Sequence, residues 1–313
     1  MSSKSITGSG FCMMDADVAE KEAWKLQEGD EIAPGRSVLK LLGGGHVYEA
    51  YLVWDEKLFA VMVAKLLRPD RVEDERALRE LRQEAAALDE LSHPVLLRGF
   101  GAVLDGSHPH VLVEHLEGPT LRRLIRRSGP LPAQQLLPLG LHLASALHYM
   151  ASEQRVHLDV KPENVVMGIP PRLIDFSLVR SFERARRISG WIGTRAYMPP
   201  EQCAPGEAGQ IGPWSDVWGL GATLYNAIAA KPPFSRGSSD PDAPREQHFP
   251  QLVDEVRPWP VRVSQGLSAA VLACLRKDPA ERPTAAELAL SLQPQVAALP
   301  RKLLLGRRGP IAP

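Results

Sequence analysis

The sequence predicts an α+β fold in two unequal lobes, on three observations. Strand-like alternation is confined to the stretch before about residue 115, and helical periodicity dominates after Leu131. No βαβ alternation and no internal repeat links the two regions. Strands and helices therefore segregate instead of interleaving in a parallel sheet.

Taken in order, residues 1–26 are mixed, Ser/Gly-containing and weakly periodic, and read as a flexible arm. Over 35–65 the apolar positions fall as strands: Val38, Leu39 and Leu41, then Val47, Tyr48, Tyr51 and Val53, then Phe59, Val61 and Val63. Gly43-Gly44-Gly45 separates the first two. A helix is expected over 72–91, because Leu78, Leu81, Ala85 and Leu88 share a face. Glu84 borders that face, and an unpaired carboxylate there would be costly, so a cationic partner is expected. His110 to His115 reads as a further strand. Helices follow at 136–150, 217–230, 264–275 and 284–292, the second nearly all apolar and hence central. The polar, Pro-containing stretch 236–248 reads as a loop. This gives lobes at 27–116 and 117–295, with a basic tail at 296–313.

A net charge of +0 gives no bulk attraction to nucleic acid or acidic lipid. Cys12, Cys203 and Cys274 are too few and too scattered for a disulfide framework or zinc site, which fits a reducing compartment. No apolar run is long enough to span a bilayer, since His142, His148 and Asn226 interrupt the best candidates. The N-terminus lacks a charged-then-apolar signal pattern, so a cytoplasmic location is expected. Oligomeric state is not readable.

The chemistry concentrates in Val156-His157-Leu158-Asp159-Val160-Lys161-Pro162-Glu163-Asn164. Carboxylate, ammonium and amide lie within one apolar-flanked loop, and eleven residues after Asn164 an apolar strand ends in a second carboxylate, Asp175. Such a set can hold Mg²⁺ and steer a hydroxyl toward a phosphate.

These residues resemble the eukaryotic-like, bacterial-type serine/threonine protein kinases over roughly residues 30–293. The resemblance implies a two-lobed protein-kinase fold and transfer of the ATP γ-phosphoryl group, with Mg²⁺, to protein Ser/Thr hydroxyls. The partners it implies are protein substrates, with neither nucleic acid nor a membrane span. It implies that Lys65, ending Ala60-Val61-Met62-Val63-Ala64-Lys65, binds the α- and β-phosphates while Glu84 holds its ammonium. Asp159 would orient the substrate hydroxyl, Lys161 would stabilise the transferring group, and Asn164 and Asp175 would hold Mg²⁺. Val113 would be the gatekeeper and Glu114–Leu116 the hinge, where the backbones of Glu114 and Leu116 bond adenine. Val47, Val63 and Val166 would sandwich the ring. Thr194 would touch Asp159 and Lys161, and Glu201 would pair with Arg282. Asp216 sits at a helix N-terminus, which suits a capping carboxylate, and in the family this residue also holds the catalytic loop.

The chain departs from the family pattern in three places. The loop Gly43-Gly44-Gly45-His46-Val47 reads as about two residues short of Gly-x-Gly-x-x-Gly-x-Val, with Gly45 and Val47 on the motif. ATP affinity is the property this puts at risk. Leu158 replaces the arginine that receives an activation-loop phosphate, so activity is expected without that phosphorylation. Ser177 replaces the glycine after Asp175-Phe176. These departures support an alternative, a pseudokinase acting as a binding or scaffolding module.

Overall fold

The computed structural model describes residues 22–260 and 263–300. The strand lobe is a six-stranded antiparallel sheet in the order β1-β2-β3-β4-β6-β5. Its strands are β1 (Glu31–Ala33), β2 (Arg36–Gly44), β3 (Tyr48–Asp55), β4 (Ala60–Leu67), β5 (Gly99–Val103) and β6 (His110–Glu114). Alternation along β3 separates two faces. Glu49, Tyr51 and Val53 are buried on one face, where Tyr51 and Val53 cluster with Met62, Ala64, Leu66 and Leu112. The other face carries Tyr48, Ala50 and Leu52, because Ala50 pairs with Lys65 and Leu52 with Val63.

Helix α1 (Glu75–Glu90) packs against β5 and β6. It starts three residues later than the apolar period suggests. Asp74 is its cap, accepting from the N–H groups of Arg76 and Ala77, so Val72 and Glu73 lie outside. Gly99 lets β5 approach the helix, since a Cβ there would meet Leu88 Cβ at 2.8 Å.

The expected arm needs correcting at its inner end. Trp24 and Leu26 pack against the sheet cluster, and Trp24 Nε1 donates to the Leu67 carbonyl at 2.7 Å. Residues 1–21 and 301–313, including Cys12 and most of the basic tail, lie outside the described residues.

The helical lobe holds α2 (Leu121–Ser128), α3 (Ala133–Ser152), α4 (Phe182–Arg186), α5 (Pro200–Cys203), α6 (Pro213–Ala229), α7 (Arg245–His248), α8 (Gln265–Cys274) and α9 (Ala285–Ala297). Short antiparallel strand pairs frame its loops: β7 (Arg155–Val156) with β10 (Arg180–Ser181), and β8 (Val165–Val166) with β9 (Arg172–Leu173). Helix α6 is buried throughout 215–229 and packs against α3 and α8, in keeping with its nearly all-apolar composition. Thr284 and Glu287 form a capping box at the start of α9. The stretch 236–248 is mostly loop, but α7 closes it. Among the described residues no helix is long and apolar enough to cross a membrane.

Candidate active site

The cleft between the lobes is organised around one ammonium. Lys65 on β4 donates to both oxygens of Glu84 on α1, at 2.8 and 2.9 Å, and to Asp175 Oδ1 at 2.9 Å. Burial opposes the charge on Lys65, but Asp175 and then Glu84 outweigh it and raise the lysine above its ordinary range. Burial likewise opposes the Asp175 carboxylate, yet Lys65 holds its pKa well below the usual range. Both groups therefore stay ionised. Glu84 thus has the cationic partner that its place on an apolar face demanded.

Below the cleft, the catalytic loop hangs from the buried helix α6. Asp216 accepts from the N–H groups of His157 and Leu158, each at 2.7 Å. The helix cap is Gly212, whose N–H donates to Ser215 Oγ, so Asp216 does not cap the helix. Its partners are the loop backbone alone. The tether helps hold Leu158 at φ +65°, a conformation that side-chain-bearing residues rarely adopt.

That backbone presents a compact polar cluster. Thr194 Oγ1 donates to Asp159 Oδ1 at 2.7 Å, and Lys161 Nζ donates to Thr194 Oγ1 at 2.7 Å and to Asp159 Oδ2 at 2.6 Å. Asn164 Nδ2 donates to the Asp159 carbonyl and to Oδ2, both at 3.0 Å. A carboxylate with three donors around it is held in one orientation.

The apolar roof and floor are only partly where the sequence suggested. Val113, Val63 and Leu116 join one cluster, and Val166 is half-buried in β8. The Glu114 N–H is already given to the Arg98 carbonyl, so a donor to a base must come from His115 or Leu116. Val47 joins that same cluster, but it does not hold the place across from Lys65. The residue opposite Lys65 across the hairpin is Ala50, while Val47 precedes β3 and its carbonyl accepts from Arg68. With Ala50 on the last position of Gly-x-Gly-x-x-Gly-x-Val, counting back puts Gly43 and Gly45 on the first two glycines and Tyr48 on the third. The loop is therefore full length. It lacks its third glycine instead of two residues. Gly44 packs tightly, since a Cβ there would meet the Tyr48 carbonyl at 2.8 Å.

Leu158 sits in an apolar cluster with Val156, Ala185 and Ile211, joined by Leu178, Phe182, Ile188 and Ile192. Most of these come from the segment between Asp175 and Thr194. Two buried glutamines went unnoticed in the sequence. Gln202 Nε2 ties the carbonyls of Leu158 and Ile192, and Gln251 Nε2 ties those of Arg195 and Met198. Neither carries a local signal, because each acts on backbone far away in sequence. Glu201 and Arg282 pair in a bidentate bond at 2.7 and 2.9 Å with both side chains 0% exposed.

A twisted strand lobe above a helical lobe, with paired lysine and carboxylates facing a loop aspartate across the cleft, is the architecture of a protein kinase. The chain belongs to that family: its protein kinase domain description matches residues 36–291. Relatives include the serine/threonine-protein kinase PknB of Mycobacterium leprae, 31% identical over 80% of this chain and 41% of that protein. PknB of Mycobacterium tuberculosis is 28% identical over 81% and 41%. PrkC of Bacillus subtilis is 27% identical over 83% and 40%. The chain thus spans about two fifths of the length of these relatives.

Proposed function

We propose that this chain transfers the γ-phosphoryl group of ATP, with Mg²⁺, to serine or threonine hydroxyls of proteins. The observation that carries the reading is Lys65 bonded at once to Glu84 and Asp175, facing an ordered Asp159–Lys161–Thr194–Asn164 cluster. This is an assembled arrangement, and a module that only binds would have no use for the loop cluster. The pseudokinase alternative loses its main support, because the glycine loop is full length and no acidic or basic group of the set is missing.

The donor set suits the cofactor. Asn164 and Asp175 offer amide and carboxylate oxygens, the hard ligands Mg²⁺ takes, usually one or two from protein with phosphates and water completing the shell. When bound, Mg²⁺ neutralises phosphate charge and aligns the terminal group. Lys65, fixed by Glu84, binds and orients the α- and β-phosphates. Asp159 orients the acceptor hydroxyl and takes its proton on the carboxylate, and Lys161 offsets charge on the transferring oxygens. Thr194 and Lys161 occupy Asp159 at present, so an acceptor hydroxyl replaces one of those bonds.

Intact-mass measurement of phosphatase-treated protein with Mg²⁺-ATP and a generic protein acceptor tests the reading. Added phosphate is expected with wild type and none with Asp175→Ala. The same result for both proteins would overturn it.

A further inference from the structure

Tyr48 takes the third glycine position of the loop, at the start of β3 and on the face that carries Ala50 and Lys65. A side chain there points into the cleft. Its ring lies over the Lys65 ammonium, with Nζ 4.5 Å from the ring centroid. Glu84 and Asp175 take the other sides of the ammonium. The Tyr48 hydroxyl is buried and has no hydrogen-bond partner in this arrangement. Such a group is under-satisfied and gains from moving to water or to an acceptor.

The backbone cannot easily lift this residue out. The Tyr48 carbonyl accepts from Gly45 N–H at 2.9 Å and lies against Gly44. Arg68 then clamps the loop from behind, donating from Nε to the Gly45 carbonyl at 2.7 Å, from Nη1 to Glu49 at 2.8 Å and from its backbone N–H to Val47. Rotation about the side-chain bonds is the route left to the ring.

We propose that Tyr48 is a gate on the phosphate subsite: its ring holds the place over Lys65 that nucleotide phosphates must take. The inference rests on the phosphoryl-transfer reading and names the residue that sets nucleotide affinity within it. Binding exchanges a cation–π contact for an ion pair between Lys65 and phosphate, so the lost contact weakens ATP binding by about two- to thirtyfold. A ligand without phosphates does not disturb the ring. Tyr48 acts through Lys65 and is a positioning residue.

The test is calorimetric titration of wild type, Tyr48→Phe and Tyr48→Ser with Mg²⁺-ATP and, separately, with adenosine. Tyr48→Ser is expected to bind Mg²⁺-ATP about two- to thirtyfold more tightly and adenosine unchanged. Tyr48→Phe keeps the ring and loses only the unpartnered hydroxyl, so it is expected to bind Mg²⁺-ATP no more tightly than wild type and adenosine unchanged. Should Tyr48→Ser not fold, Tyr48→Gly restores the motif and serves instead. Unchanged or weaker ATP binding by the ring-less variant overturns the gate. So does a parallel shift for ATP and adenosine, which would mark a merely structural role. ATP binding that splits as stated without phosphate transfer would sustain the gate and remove the kinase reading. No binding of either ligand by folded protein would remove both.

Discussion

Replacing Arg282 with methionine tests how far the lower lobe depends on one ion pair. Arg282 bonds both oxygens of Glu201, and also the carbonyls of Trp214 at 3.2 Å, Arg276 at 2.7 Å and Lys277 at 3.0 Å. Ser215 Oγ donates to the same carboxylate at 2.8 Å. Methionine fills much of the volume but strands Glu201, whose side chain is 0% exposed. Stranding a buried charge costs about 3–5 kcal/mol, and the lost carbonyl bonds push the figure toward about 5. A domain of this kind is held by about 5–15 kcal/mol, so the loss is a large fraction of the whole. The double change Arg282→Met with Glu201→Gln removes the stranded charge and is expected to cost less than the single one. Guanidinium unfolding read by tryptophan fluorescence suits the question, since the guanidinium lies 4.9 Å from the Trp218 ring. A single variant within about 1 kcal/mol of wild type, or a double variant that is the less stable, would refute the reasoning.

Three further outcomes are expected. His110 is fully buried, its Nδ1 bonded to the His108 carbonyl and its Nε2 to Arg36, and burial lowers its pKa from 6.5 to about 4. The unfolded chain then binds the extra proton, so this contribution is complete above pH 6.5 and declines by about 3 kcal/mol as pH falls through 4; urea midpoints of His110→Gln should show a shallower acid slope, and equal slopes would disprove the assignment. Asp216→Asn leaves one catalytic-loop N–H facing an amide NH₂, so it should lose about 1–3 kcal/mol and most of the phosphate transfer together, and full activity would contradict the tether. Phosphate-free wild type should turn over without a lag, because Leu158 packs the segment through apolar contacts; silence until Ser189 is phosphorylated would sink that reading.

Much of the catalytic loop was legible because its residues sit within a few positions of one another, where spacing alone fixes their relation. The Lys65–Glu84 pair was legible for a different reason: a carboxylate bordering an apolar helix face requires a cation. The register of the glycine loop was not legible, because three consecutive glycines set none and Val47-Tyr48 offers two apolar candidates for the inward position. Only the pairing of Ala50 with Lys65 decides between them. Asp216 shows the same limit. A carboxylate near a helix start satisfies a capping rule, while its actual partners lie 58 and 59 residues away. The glutamine ties were invisible because a side chain that bonds distant backbone leaves no periodicity behind.

Trp24 bears on where this folding unit begins. Family similarity starts at Arg36, twelve residues after the indole that hydrogen-bonds Leu67 and lies tilted against His108, with ring centroids 4.4 Å apart. A fragment trimmed to the region of similarity would expose Tyr51, Val53 and Leu66 on the back of the sheet and would also remove Glu22, whose carbonyl accepts from Arg68. Arg68 in turn steadies the glycine loop. Trimming there would therefore loosen the nucleotide roof from outside, so the smallest faithful catalytic fragment starts upstream of the region that relatives share.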